Sequence, residues 1–217
     1  MPAASTSRAV GLFATPVIAE SWPEAARFNQ ALRAAIVERR ASDPGVSLSN
    51  ILGWQSGNDM TRWGGDAARA LSDYVTRRAD GITFDKGQTG PARRFAWSAE
   101  MWANVSERGA SNQTHSHPGA YWSAVYYVDD GYGGSDDPAL GGQLVFLDPR
   151  FPMVRMRTPD LRYRRPDGSG DHHEVWMRPA EGRIVIFPSW LSHSVRPFEG
   201  PGTRISIAIN LVTGLVV

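Results

Sequence analysis

The segment NQTHSHPGAYWSAVYYV, residues 112–128, carries two histidines one residue apart, just ahead of a run with the composition of a buried β-strand. Imidazole is a poor core filler, because each ring brings two polar nitrogens whose burial without partners costs free energy. In an extended strand the side chains at i and i+2 share a face, so His115 and His117 can aim both rings at one point. That arrangement chelates a metal. A hydrogen-bonded or solvent-facing pair fits the same spacing, however, so a third ligand is required. His193, in EGRIVIFPSWLSHSVRPF, is the candidate.

Ten residues lie between His193 and Arg204, and Ser206 follows two places on, giving H-x(10)-R-x-S. Alternation around Arg204 assigns Ile205, Ile207 and Ile209 to a core face and Arg204, Ser206, Ala208 and Asn210 to the opposite one. A guanidinium turned into a cavity needs a carboxylate, since an unpaired buried charge is costly. A bound dicarboxylate would supply it.

These residues sit in the β-rich part of the chain. From about residue 92 onward, RRFAWSAEMWANV, AYWSAVYYV, GGQLVFLD, HHEVWMRP, GRIVIFP and RISIAINLV are short aromatic or β-branched runs punctuated by Gly, Pro and Asp, which is strand composition. Six such runs without intervening helix periodicity predict an antiparallel sandwich or jelly roll. The front third differs. Ser21 and Glu24 have capping-box spacing ahead of Phe28, Leu32, Ala35 and Ile36, and a second helical stripe runs from Asp66 through Ala67, Ala70, Leu71, Tyr74 and Val75. Between them, SDPGVSLSNILGWQSGND reads as turns. The expected class is α+β: a double-stranded β-helix (jelly roll, cupin-like) core with the N-terminal helices packed on one sheet.

The chain resembles the iron(II)- and 2-oxoglutarate-dependent oxygenase superfamily, whose signature is H-x-D/E, a distal His and R-x-S about ten residues later. It is similar in particular to a bacterial and phage family of such oxygenases, with prolyl-hydroxylase-like character. The matching phrases are LFATPV, SNILGWQS, WANVSERGASNQTHSHPGAYWSAVYYV, GGQLVFLDPR and EGRIVIFPSWLSHSVRPF, which span nearly the whole chain. The resemblance implies that His115 and His193 ligate Fe(II), that Arg204 and Ser206 hold the distal carboxylate of 2-oxoglutarate, and that Tyr127 meets that same carboxylate. It also implies O2 as the oxidant and hydroxylation of a small molecule or peptide side chain as the reaction.

One position departs from the signature: His117 stands where the carboxylate belongs. Three imidazoles lack the hard anionic donor of the usual set. Three readings are open: His117 completes a three-histidine face, His117 supports a two-histidine site from outside it, or Asp148 in FLDPR swings in as a carboxylate. Two other functions compete with the oxygenase: a three-histidine cupin-like metalloenzyme that ignores 2-oxoglutarate, and a catalytically silent jelly-roll binding module.

Bulk properties narrow the partners. At 217 residues one domain spanning 1–217 is expected. A formal net charge of +1 offers no field for nucleic acid or anionic membrane. The absence of cysteine removes disulfides, thiolate nucleophiles and cysteine-bound zinc. The apolar stretch Ala9–Ala19 is broken by Pro16 and reads as a first strand rather than a signal peptide, and no run approaches the ~18 residues of a membrane span. A soluble, cytoplasmic protein is expected. The histidines at 172 and 173 and the arginines of RMRTPDLRYRR are read as solvated, DDGYGGSDDPALGG as a mobile loop, and Trp122 and Asn104 as candidate pocket walls.

Overall fold

The computed structural model describes residues 12–153 and 160–215. The chain opens with β1 (Ile18–Ser21), which runs into α1 (Ala25–Ser42). Leu32 and Ile36 are the buried stripe of α1, as the periodicity predicts. The expected capping box does not form. Ser21 is instead the last residue of the strand, opposite Arg183, and the helix begins after the turn at Trp22–Pro23, with Glu24 at its N-cap and no side-chain cap. The turn-rich interval contains two short strands, β2 (Asn50–Ile51) and β3 (Trp54–Gln55), then α2 (Met60–Trp63) and α3 (Gly65–Ile82). On α3 the buried residues include Ala67, Leu71, Val75 and Ala79.

The remaining strands are β4 (Phe95–Ser106), β5 (Ser111–His115), β6 (Trp122–Asp129), β7 (Leu144–Leu147), β8 (Glu174–Met177), β9 (Arg183–Pro188), β10 (His193–Val195) and β11 (Arg204–Leu215). They form two antiparallel sheets, a six-stranded one in the order β1-β9-β6-β11-β4-β3 and a five-stranded one in the order β2-β5-β10-β7-β8. This is the predicted jelly roll. Residues 111–115 and 193–195 are strands that composition did not reveal.

Strand alternation divides the large sheet into two faces. Met101, Ala103 and Val105 of β4 join Ala124 and Tyr126 of β6 and Ile205, Ile207 and Ile209 of β11 in a core shared with the helices. Arg78 of α3 ties down β1 with a bidentate pair to Glu20 at 2.7 and 2.8 Å. The opposite face looks toward the small sheet, where Tyr127, Leu144, Phe146, Phe187 and Leu191 pack between the layers. Helices cover one side, which leaves the other side to form a cavity.

The stretch read as a mobile loop is anchored. Tyr132 is buried against Phe198, and its hydroxyl donates to the Gly141 carbonyl at 2.6 Å. Gly141 adopts φ +67°, and a Cβ there would collide with the Pro197 carbonyl oxygen. None of the residues from 129 to 143 lines the central cavity. Arg155 and Arg157 lie outside the described residues, while Arg165 pairs with Asp171. Among the described residues no helix is long and apolar enough to cross a membrane.

Candidate active site

A cavity of about 740 Å³ opens between the sheets, and its large-sheet wall is ordered in rows. Residues directly opposite across antiparallel strands point the same way. The pairing therefore aligns Glu100, Asn210 and Ser123 in one row, Trp102, Ala208 and Val125 in the next, and Asn104, Ser206 and Tyr127 in a third. Arg204, opposite Ser106, closes the deep end. Asn104 lines this wall as expected. Trp122 does not: it is buried on the helix side, where its indole donates to Thr83 at 2.8 Å.

His115 and His193, far apart in the chain, are direct cross-strand partners of β5 and β10, with ring centroids 4.4 Å apart. His117 arrives differently from the expectation. It lies beyond the end of β5, its N–H donating to the Ser189 carbonyl at 2.9 Å. Pro118 and Gly119 follow, with Gly119 at φ +96° and the Ala120 N–H returning to the His117 carbonyl, the pattern of a type II turn. The turn still delivers the ring to the same place. The ligand nitrogens of His115, His117 and His193 all lie within 4.8 Å of one another.

The hydrogen bonds of two rings favour metal binding. His115 Nδ1 donates to the Gln113 carbonyl at 2.7 Å, and His193 Nδ1 donates to the Leu191 carbonyl at 2.9 Å. A carbonyl only accepts, so both Nδ1 atoms carry protons and both Nε2 lone pairs are free. His117 Nε2 and His193 Nε2 are 3.3 Å apart. Two nitrogens bound ~2.1 Å from one metal at angles of 90–110° lie roughly 3.0–3.4 Å apart, so the spacing suits a shared ion. Burial, with a smaller contribution from His115, pushes His117 down to about 4 and His193 down to about 3. Both rings are therefore neutral, as ligands must be.

Asn210 escaped the sequence reading as a functional residue. Its amide nitrogen lies 3.3 Å from His117 Nδ1, while its carbonyl accepts from the Ser123 hydroxyl at 2.8 Å. Amide oxygen and nitrogen are interchangeable in such a network. Metal ligation through His117 Nε2 requires the reversed orientation, in which His117 Nδ1–H donates to the amide oxygen. The signal was present in the alternation, which put Asn210 on the cavity face.

The deep end fits a carboxylate. Arg204 is 2% exposed, has no carboxylate partner among the described residues, and leaves its Nε without a hydrogen bond. Among the described residues its one hydrogen bond is a long 3.4 Å contact with the Ser106 hydroxyl. The guanidinium carbon lies 5.4 Å from the centroid of Tyr127, whose hydroxyl is also buried without a partner. Ser206 is buried beside them. Burial raises the Tyr127 pKa, with Arg204 opposing, so the phenol is a neutral donor. Two orphaned donor groups facing one cavity await an acceptor.

Other candidates lie elsewhere. Asp148 is engaged by Arg150, whose side chain donates to it at 3.0 Å and holds the carboxyl below its ordinary range, with a smaller contribution from the Arg150 backbone N–H at 2.9 Å. It lines a separate cavity with His172 and His173 and is not part of the histidine cluster, so the third of the open readings, Asp148 as a distant ligand, is set aside.

Comparison with known proteins bears on this geometry. Residues 100–210, just over half of the chain, match the model of the family described as "Putative 2OG-Fe(II) oxygenase". No curated protein matches the sequence. Among solved structures, a Pseudomonas putida prolyl-4-hydroxylase aligns with TM-score 0.60 at 19% identity, covering 91% of this chain and 92% of that one. A Trichoplax adhaerens prolyl hydroxylase, solved with a hypoxia-inducible-factor peptide fragment, aligns with TM-score 0.61 at 14% identity over 90% and 83%. HygX from Streptomyces hygroscopicus, solved with nickel, 2-oxoglutarate and hygromycin B, aligns with TM-score 0.60 at 12% identity over 91% and 83%.

Proposed function

Since the chain belongs to the 2-oxoglutarate- and Fe(II)-dependent oxygenase family, we propose that His115, His117 and His193 hold the iron and that Arg204, Ser206 and Tyr127 hold 2-oxoglutarate, for hydroxylation of a small molecule or peptide side chain. We extend this to the whole chain as a single domain, because the core under the large sheet includes residues from the helices and from β11 alike. Structures sharing the fold hold a peptide fragment in one case and hygromycin B in another, which supports keeping both substrate classes.

The observation that carries the reading is Arg204, buried, without a carboxylate partner among the described residues and turned into the histidine-bearing cavity. Bound iron and 2-oxoglutarate would supply oxidative decarboxylation to succinate and carbon dioxide, coupled to oxygen insertion into a C–H bond. The chain's own contribution is placement. Arg204 neutralises the distal carboxylate and Tyr127 donates a proton to it in a hydrogen bond, which compensates for removing both from water. Val125, Leu144 and Phe187 wall the same region and exclude solvent. The carbonyls of Gln113 and Leu191 keep His115 and His193 in the tautomer that turns Nε2 inward.

A cupin-like enzyme indifferent to 2-oxoglutarate gives Arg204 no reason to face the cavity. The readings separate in an assay of anaerobically reconstituted protein exposed to oxygen. The oxygenase forms succinate from 2-oxoglutarate in an Fe(II)-dependent manner, and 2-oxoglutarate raises the melting temperature of the metal-loaded protein. The absence of both succinate formation and a thermal shift would contradict the proposal.

A further inference from the structure

Among the described residues, Glu100 is the one carboxylate on the wall of the central cavity. It lies on the cavity face of β4, two residues from Trp102 and directly opposite Asn210. Several acids of this protein hold an arginine, among them Glu20, Asp80, Glu107, Asp129 and Glu199, while among the described residues others such as Asp59 and Asp130 do not, and Glu100 itself is exposed. Glu100 holds none among the described residues. Arg204 is too far to serve. Asn210 is six steps along β11 from Arg204, and at about 3.3 Å per residue this is roughly 20 Å, beyond the ~8–10 Å over which charge is felt in saline.

The surroundings of Glu100 match a cation. Trp102 is half-buried and exposes its ring to the cavity, and Asn58 and Asn104 bring amides that make no hydrogen bond to the protein among the described residues. A carboxylate beside an indole face binds ammonium or guanidinium by charge and by cation–π attraction, and amide groups complete the shell. A neutral substrate covering Glu100 would instead desolvate an unpaired charge.

We infer that Glu100 and Trp102 form the substrate-recognition end of the cavity and select a substrate carrying a protonated amine or guanidinium. The inference rests on the proposed oxygenase reading and adds a substrate class to it. Geometry also limits which carbon reacts. Asn210 touches both the Glu100 row and His117, and adjacent strands are ~5 Å apart, so the reacting C–H lies roughly 5–10 Å from the cationic group. That is the span of a short alkyl chain, such as a lysine or arginine side chain or a small diamine.

Calorimetry on the anaerobic protein loaded with Fe(II) and 2-oxoglutarate tests this. The probes are butylamine, cadaverine and Nα-acetyl-lysine amide, set respectively against the neutral counterparts butanol, pentanediol and Nα-acetyl-glutamine amide. At least one cation is expected to bind about tenfold or more tighter than its counterpart, and Glu100→Gln to erase that preference. Affinity for 2-oxoglutarate is the internal control, since its failure would count against the oxygenase reading rather than this one. If the cofactor binds while no cation is preferred, or if Glu100→Gln keeps the preference, the inference is overturned.

Discussion

Residue spacing located the three histidines, but their protonation depends on neighbours that the spacing did not reveal. His115 and His193 are oriented by backbone carbonyls, which survive any side-chain substitution; His117 depends on the Asn210 amide alone. Asn210→Ala should therefore lower metal affinity about 10- to 100-fold, the usual cost of losing a group that orients a ligand. Asn210→Asp, an obligatory acceptor, should retain or improve it. Titration with Co(II) as a spectroscopic stand-in checks both, and equal losses in the two variants would mean that His117 is not held as a donor. The substitution of histidine for the carboxylate was visible in the sequence. The conformation of His117 was misjudged, because the strand rule was applied across a Pro-Gly turn.

Among the elements, strand alternation was the most legible feature. The assignment of Arg204, Ser206, Ala208 and Asn210 to one face and the isoleucines to the other matches β11 throughout. Its energetic counterpart is a pair of adjacent substitutions. Ile207→Ala, fully buried under the helices, should cost about 2–5 kcal/mol in urea unfolding and leave 2-oxoglutarate affinity within about twofold. Ser206→Ala should do the reverse, with little effect on stability and a measurable loss of 2-oxoglutarate affinity. Comparable stability losses in both would contradict the division of faces. By contrast β5, with the polar sequence SNQTH, and the three-residue β10 were not legible as strands. Their conformation comes from pairing with each other and with β7, which is tertiary context rather than propensity. The Ser21 capping box failed for a related reason: β1 pairs with β9 through Ser21, so that residue is committed to the sheet.

For the whole molecule, the layered arrangement was anticipated from helix periodicity in the front third and strand composition behind it. It also divides the work: the helices bury one face of the large sheet, and the small sheet brings His115 and His193 over the other. In the proposed function the histidine cluster and the guanidinium serve two separate ligands in one cavity. Anaerobic calorimetry of wild type, His193→Ala and Arg204→Ala with Fe(II), then with 2-oxoglutarate, tests it most directly. Wild type should bind one iron tightly and His193→Ala should lose it, whereas Arg204→Ala should keep iron while its 2-oxoglutarate affinity falls by about 30-fold or more, the lower end for removing one partner of a buried charge pair. Iron retained by His193→Ala, or 2-oxoglutarate bound equally well by Arg204→Ala, would contradict it.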